Sequence, residues 1–291
     1  MEDTLIIFNP AAKGEKAARF LNEIQKLSVG AEIKLTSFAG EAEEIARVAV
    51  VSGYKTVVAA GGDGTINEVL NGIGESSVNL GILPVGTMNV LAAELGLPMR
   101  NLPACWKIIS DGHVINVDLP RANDRYFVQL AGVGLDAQVV RETDRGFRKN
   151  FGPLSYVVSL AQIASRKPPE LEIHTPDGAV RHGCFVIIGN GRYYGGPFRV
   201  FSEAAMDDGL LDVLVFKDIG YLDLVRYTQS MLFGGISKLS GVDYFQTPSL
   251  RVISGQEVPV ELDGEVAFEV PVDFGIAPTK LRLCTAEKAA T

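Results

Sequence analysis

The chain is short of the residues that build metal, disulfide and hydrolase sites. Its 291 residues include only three cysteines and three histidines. Cys105, Cys184 and Cys284 lie far apart with no CxxC spacing and read as reduced thiols with packing roles. His113, His174 and His182 are isolated, with no HxxxH ligand spacing. No serine sits in a GxSxG elbow, so a serine hydrolase has no support. No apolar run approaches the ~18 residues that a membrane span needs. The N-terminus carries Glu2 and Asp3 ahead of its first apolar run, without the basic start of a secretory signal, so a cytoplasmic protein is expected. Positive charge is also lacking: 27 Lys and Arg face 35 Asp and Glu, a net charge of −8 that argues against broad nucleic-acid binding. Apolar residues, by contrast, are plentiful at 47%, enough to fill the core of one large or two medium domains.

The first third alternates short apolar runs with helical patterns. Leu5 to Phe8, Ala31 to Leu35, Val57 to Ala60 and Leu80 to Leu83 read as strands. Between and after them, Ala17, Phe20, Leu21 and Ile24, then Glu41 to Val51, Ile66 to Ile73 and Val90 to Leu95 follow helical spacing. Strands of about five residues separated by helices imply a parallel sheet covered on both faces. After about Ile115 strand-like runs become frequent: Phe127 to Val133, Leu171 to Thr175, Cys184 to Ile188, Leu211 to Phe216, Leu250 to Ile253, Val258 to Leu262 and Val266 to Val272. Turn signals such as Pro176-Asp177-Gly178 and Asp263-Gly264 punctuate them. This predicts an α/β nucleotide-binding domain over residues 1–120 and an all-β sandwich over 121–277, with helical insertions near 137–165 and 220–234. A last strand near 278–288 pairs with either domain. Exposed sheet edges leave homodimerisation by strand pairing open.

Chemistry concentrates in loops at strand C-terminal ends, the edge along which open α/β sheets bind ligands. The strongest is Gly61-Gly62-Asp63-Gly64-Thr65-Ile66-Asn67, which follows a buried strand and opens a helix. Glycines admit a bulky anion close to the backbone, and a helix start offers free N–H groups to it. Asp63 adds a hard oxygen ligand for magnesium or a base. The loop is neither a Walker A loop, since no Gly-Lys-Ser/Thr follows, nor a dinucleotide fingerprint, since its glycine spacing differs. Asn9-Pro10 and Gly86-Thr87-Met88-Asn89 lie on the same edge, joined by Thr36. Thr36 and Thr87 serve either as helix caps or as phosphate contacts. Two carboxylate loops stand out later, Ala205 to Leu210 and the Glu261-Leu262-Asp263-Gly264-Glu265 hairpin. Arg141, Arg145, Arg148, Lys149, Arg166 and Lys167 flank an apolar helical pattern of Tyr156, Leu160 and Ile163, as on a face that meets an anionic membrane or simply water.

Taken in order, Asn9-Pro10 with Gly14, Gly61 to Asn67 with Glu68, Leu83 to Asn89, Val117-Asp118, Ala131 to Ala137, Asp208 to Asp212 and Leu262 to Glu265 resemble the bacterial lipid kinases of the diacylglycerol kinase catalytic-domain family. The glycine loop alone is shared with NAD kinases and is similar to that of phosphofructokinases. The later strings narrow the resemblance to lipid kinases. It implies a cleft between the two domains, with ATP held by Asn9, Thr36, Gly61, Gly62, Asp63, Gly64, Thr65, Ile66, Asn67 and Thr87. It implies Mg2+ near Asp63 and Asp118, and a second hard cation held by Asp208 with the carbonyls of Ala205 and Leu210. A partly buried Glu265 is implied as the proton acceptor, with Asp63 as the competing base. The acceptor is a lipid, with diacylglycerol first, met at the inner membrane face by a peripheral protein. One position departs from the family pattern: Val90 stands where many members carry an aspartate. An NAD kinase-like enzyme and a catalytically weak lipid- or nucleotide-binding homologue remain as alternative readings.

Overall fold

The chain is seen in a computed structural model that describes residues 2–12, 14–135, 137, 168–194, 198–218, 220, 223, 225–227, 229, 230 and 235–287. The basic segment 141–149, Arg166, Lys167 and the predicted helix near 137–165 fall outside the described residues but for Ala137, and the 220–234 insertion does so in part.

The first half forms strands β1 (Thr4–Phe8), β2 (Glu32–Leu35), β3 (Thr56–Gly61), β4 (Asn79–Pro84) and β5 (Val114–Val117). Its helices are α1 (Ala17–Leu27), α2 (Glu41–Val51), α3 (Asp63–Ile73), α4 (Val90–Glu94) and α5 (Leu102–Asp111). β1 is buried at every position, as are β3 and β4 beyond their first residues, which is what helices on both faces of a parallel sheet require. Helix α5 and strand β5 go beyond the expected pattern. Leu102, Cys105, Trp106 and Ile109 give α5 a buried face that closes the same core, and Asn101 caps it by accepting the Ala104 N–H at 3.1 Å.

The second half supplies β6 (Pro120–Ala122), β7 (Arg125–Tyr126), β8 (Leu130–Val133), β9 (Leu171–His174), β10 (Val180–Gly183), β11 (Phe185–Gly189), β12 (Tyr193–Tyr194), β13 (Phe198–Arg199), β14 (Leu211–Phe216), β15 (Val242–Thr247), β16 (Ser249–Ile253), β17 (Pro259–Leu262), β18 (Glu265–Glu269) and β19 (Val272–Ile276). Two antiparallel sheets, β10-β9-β16-β19-β6-β7 and β15-β14-β11-β8-β17-β18, face each other across a core that includes Phe127, Val133, Ile173, Val213, Val252 and Phe274. The fold is thus an α/β domain followed by an all-β sandwich. Two of the expected strands differ by more than a residue at an end. The run Val266 to Val272 is split, because Pro271 has no N–H for a ladder and the chain passes there from one sheet to the other. Phe127 to Gln129 stay outside β8, because the N–H groups of Val128 and Gln129 are claimed by a side chain of the opposite hairpin.

The last strand, β20 (Leu281–Cys284), returns to the first domain. It pairs parallel with β4 and antiparallel with β5, giving the order β2-β1-β3-β4-β20-β5. All three cysteines are free and buried, as their packing role requires. Burial pushes the thiols of Cys105 and Cys284 up to about 11 and that of Cys184 to about 12, so none is a reactive thiolate at neutral pH. No helix among the described residues is long and apolar enough to cross a membrane.

Candidate active site

The loops after β1, β3 and β4 meet on one sheet edge and are fastened through their backbones. The N–H groups of Val85 and Gly86 both donate to the Gly61 carbonyl, at 3.1 and 3.0 Å. Gly62 and Gly86 touch with no side chain between them: a Cβ on Gly86 would lie 2.4 Å from the Gly62 Cα. Gly61 is equally constrained, since its Cβ would lie 2.4 Å from the Thr65 Cβ. Asn89, left-handed at φ 51°, brackets Gly86 by accepting its N–H at 3.1 Å and donating to its carbonyl at 3.0 Å. Asn9 donates from Nδ2 to Thr65 Oγ1 at 2.9 Å, tying the end of β1 to the first turn of α3.

Asp63 opens α3, and its carboxylate is spent on the neighbouring loop. Oδ2 accepts the Asn89 N–H at 2.9 Å and Oδ1 accepts the Val90 N–H at 2.7 Å, which caps α4. Burial raises the pKa of this carboxyl, the Val90 N–H opposes the rise, and the nearby Asp263 carboxylate adds to it. Asp63 therefore fixes the loop after β4 against the loop after β3. Val90 contributes its main-chain N–H and a side chain only 7% exposed. Neither threonine caps a helix, because Gly40 is the cap of α2 and Asn89 that of α4. Thr36 extends the β2 edge, its N–H donating to the Phe8 carbonyl at 3.0 Å, and Thr87 is exposed on the lip. The side chains of Thr65 and Ile66 are buried, so only their backbones face a ligand. Asn67, one turn along α3, points its Nδ2 across the cleft.

That crossing is made by the sandwich hairpin. Asp263 at φ 49° and Gly264 at φ 90° form the two-residue turn between β17 and β18, as the Asp-Gly pair predicts. The Asp263 carboxylate collects four N–H groups: Asn67 Nδ2 at 2.8 Å and Val128 at 2.9 Å on Oδ2, Gln129 at 3.0 Å and Leu130 at 3.1 Å on Oδ1. Burial pushes its pKa up while these donors oppose the rise. β7 adds a second seam along the helices. Tyr126 exchanges hydrogen bonds with Asn71 at 2.9 and 3.0 Å, and Arg125 pairs with Glu43 at 2.7 Å. The seam carries Glu265 over the glycine loop, where its Oε1 lies 3.0 Å from the position a Cβ on Gly64 would take. Glu265 is exposed rather than partly buried.

The third acidic group lies apart, at the junction of the two domains. Asp118 is 1% exposed, and its Oδ2 accepts the Gly209 N–H at 2.8 Å while Oδ1 accepts from Lys280 Nζ at 2.5 Å. Asp208 accepts the Leu210 N–H at 2.9 Å, and Ala205 and Leu210 belong to the same loop. Among the described residues no three His, Cys, Asp or Glu side chains gather as a metal-binding cluster. The glycine loop offers close main-chain approach and helix-start N–H groups of the kind that suit an anion. Each carboxylate oxygen of Asp63 and Asp118 accepts one hydrogen bond and keeps a lone pair that a hard cation could use. Sequence reasoning missed Asp263 as an anchor, Asn71, Arg125 and Lys280. Only Asp263 carried a signal, and that signal was for a turn.

Comparisons with known proteins show the family. Residues 3–122 match the diacylglycerol kinase catalytic domain, and residues 129–285 match the YegS C-terminal NAD kinase beta sandwich-like domain. The chain belongs to the diacylglycerol kinase family of lipid kinases, and it is a kinase. A diacylglycerol kinase of Bacillus subtilis (strain 168) is 26% identical over 283 residues, covering 94% of this chain and 93% of that protein. One of Staphylococcus carnosus (strain TM300) is 29% identical, covering 92% and 90%. A solved structure from Bacillus anthracis str. Sterne superposes with a TM-score of 0.82 at 27% identity, over 98% of this chain and 95% of that one. Another from that organism, a diacylglycerol kinase, gives 0.78 at 25% identity, over 98% and 97%.

Proposed function

We propose that the chain moves the γ-phosphoryl group of ATP to the free hydroxyl of diacylglycerol, in the cleft between the glycine loops and the β17–β18 hairpin. The observation that carries this reading is Glu265, a carboxylate from the sandwich held directly over Gly64 at the head of α3. Phosphoryl transfer is mostly positioning and charge neutralisation, so a proton acceptor poised over a phosphate cradle is the arrangement the reaction needs. The backbone N–H groups at the start of α3 have no intrahelical partners and would bind the phosphates, with the helix dipole in their favour. Thr36, Thr87 and Asn9 line the same lip. The acceptor oxygen attacks Pγ, the bond from Pγ to the bridging oxygen of ADP breaks, and the hydroxyl proton passes to Glu265. Asp63 holds the cradle together and is not needed as the base. A divalent cation enters as the counter-ion of the triphosphate substrate.

The deciding assay offers labelled ATP with short-chain diacylglycerol or with NAD and identifies the phosphorylated product. Phosphatidic acid is expected, and NADP as the sole product would refute the reading. Glu265→Gln should lower kcat about 10²- to 10⁴-fold with the KM for ATP little changed. Full turnover in that variant would remove Glu265 from its role. For the bilayer, the basic residues at 141–149 and 166–167 give an attraction of about 1 kcal/mol per charge near anionic lipid. Sedimentation should favour phosphatidylglycerol vesicles over phosphatidylcholine vesicles, and equal binding to both would rule out electrostatic docking.

A further inference from the structure

Helix α4 begins on the phosphate loops and ends on the sandwich. The N–H groups at its start, from Asn89 and Val90, are held by the Asp63 carboxylate. Its last residue, Glu94, reaches across the domain boundary with a side chain 7% exposed. Oε2 accepts the Arg192 N–H at 2.8 Å and the Tyr193 N–H at 3.3 Å, where the chain enters β12. A negative charge at the end of a helix opposes the helix dipole, so the local structure of α4 does not favour glutamate there, whereas these cross-domain donors do. The fit is close: a Cβ on Gly191 would lie 2.9 Å from Glu94 Oε2 and 2.2 Å from Gln129 Oε1. Arg192 is fixed in turn, its Nε donating to the Ala204 carbonyl at 3.2 Å and its carbonyl accepting the Val200 N–H at 2.9 Å.

The next links run back to the β17–β18 hairpin. The Asn190 N–H donates to the Gln129 carbonyl at 2.9 Å, and the Gln129 N–H donates to Asp263 Oδ1 at 3.0 Å. Asp263 in turn holds Asn67 on α3. A closed ring therefore runs from Asp63 through α4 and Glu94 to residues 190–193, Gln129, Asp263 and Asn67, and back along α3. Asn67, Asn71 and Glu43 hold the sandwich from the α3 and α2 side, and Glu94 holds it from the α4 side. A body held along one side turns about that side, and an attachment on another side fixes the angle.

We infer that Glu94 is a positioning residue for phosphoryl transfer: it sets the angle of the sandwich against the loops after β3 and β4. It acts through Glu265, whose place over Gly64 depends on that angle. The inference rests on Glu265 as the proton acceptor. Both N–H groups meet one oxygen of Glu94, so an amide oxygen in its place serves as well as a carboxylate.

The test measures turnover and ATP affinity of full-chain variants at a temperature where each remains folded, on the acceptor that the wild type phosphorylates. Glu94→Ala should lower kcat about 10-fold or more, as the proton acceptor drifts from its place. Its calorimetric Kd for ATP should stay within about 2-fold of wild type, because Asp63 still holds the loop after β4. Glu94→Gln should recover most of the lost turnover, since its amide oxygen accepts both N–H groups. In a Glu265→Gln background Glu94→Ala should cost little further, as expected of residues that act as a unit. A Glu94→Ala protein with wild-type kcat, or one that loses ATP affinity in step with kcat, would overturn the assignment. So would a Glu94→Gln protein as slow as Glu94→Ala, or the same fractional loss in both backgrounds. Full turnover by Glu265→Gln alone marks the failure of the proton-acceptor reading, and the assignment falls with it. If Glu94→Ala does not fold, Gly191→Ala crowds the same contact from the sandwich side and should show the same fall in kcat at unchanged Kd. Wild-type kinetics in that variant would overturn the assignment.

Discussion

Asp263→Asn is expected to destabilise the chain by about 3–5 kcal/mol, a drop in melting temperature on the order of 10 °C. The carboxylate accepts four N–H groups, two on each oxygen, from Asn67, Val128, Gln129 and Leu130. An asparagine amide offers one oxygen and one NH2, so whichever way it turns, two N–H donors face a donor and are left unsatisfied in a buried seam. The turn itself should survive, because asparagine tolerates the left-handed φ of 49° and Asn-Gly forms this hairpin as readily as Asp-Gly. The substitution therefore isolates the carboxylate from the loop that carries it. Activity should fall with stability. Glu265 stands two residues further on and depends on this anchor for its place over Gly64, and a displacement of about 1 Å costs a proton acceptor about 10²-fold in rate. Calorimetry and turnover at a temperature where the variant remains folded separate the two effects. A melting temperature within about 2 °C of wild type would show that the hairpin is held by something other than Asp263.

The same residue shows where the sequence was legible and where it was not. Strands and helices of the first domain followed from period and burial, because β1, β3 and β4 are short, wholly apolar and separated by amphipathic helices. The close approach of the glycine loop to its neighbour was readable because it depends on main chain, and main-chain shape is written in glycine positions. Asp263 was readable as a turn residue and not as an anchor. Its partners at 67 and at 128–130 are distant in sequence, and three of the four are backbone N–H groups, which no residue type announces. Lys280 is the same case, a single cation after Pro278-Thr279 whose partner lies 162 residues away. The split of the Val266 to Val272 run was visible at Pro271. The return of β20 to the first sheet was left open, since four alternating residues fit either domain and only the vacancy between β4 and β5 decides between them.

Gly86→Ala should lower kcat/KM for ATP about 10²-fold or more, for a steric reason alone. Gly86 does not adopt a left-handed backbone, so alanine is conformationally acceptable there. Its Cβ, however, would stand 2.4 Å from the Gly62 Cα, 3.1 Å from the Gly62 N and 2.7 Å from Asn89 Oδ1. Two of these are backbone atoms, which no rotamer change removes, so the loops after β3 and β4 must part. Parting them strains the bonds from Val85 and Gly86 to the Gly61 carbonyl and then pulls on the Asp63 cap of α4. The cradle opens along the whole lip from Gly61 to Thr87, and the phosphates lose their aligned N–H groups. The stability cost should be smaller than at Asp263, about 1–3 kcal/mol. Gly178→Ala provides the control: its φ of 82° strains an alanine, yet a Cβ there meets nothing within 4 Å, and it lies in the turn between β9 and β10. That variant should lose about 1 kcal/mol of stability and keep its affinity for ATP. Calorimetric titration of both variants with ATP distinguishes the outcomes. Undiminished binding by Gly86→Ala would mean that close contact between Gly62 and Gly86 is not what shapes the phosphate site.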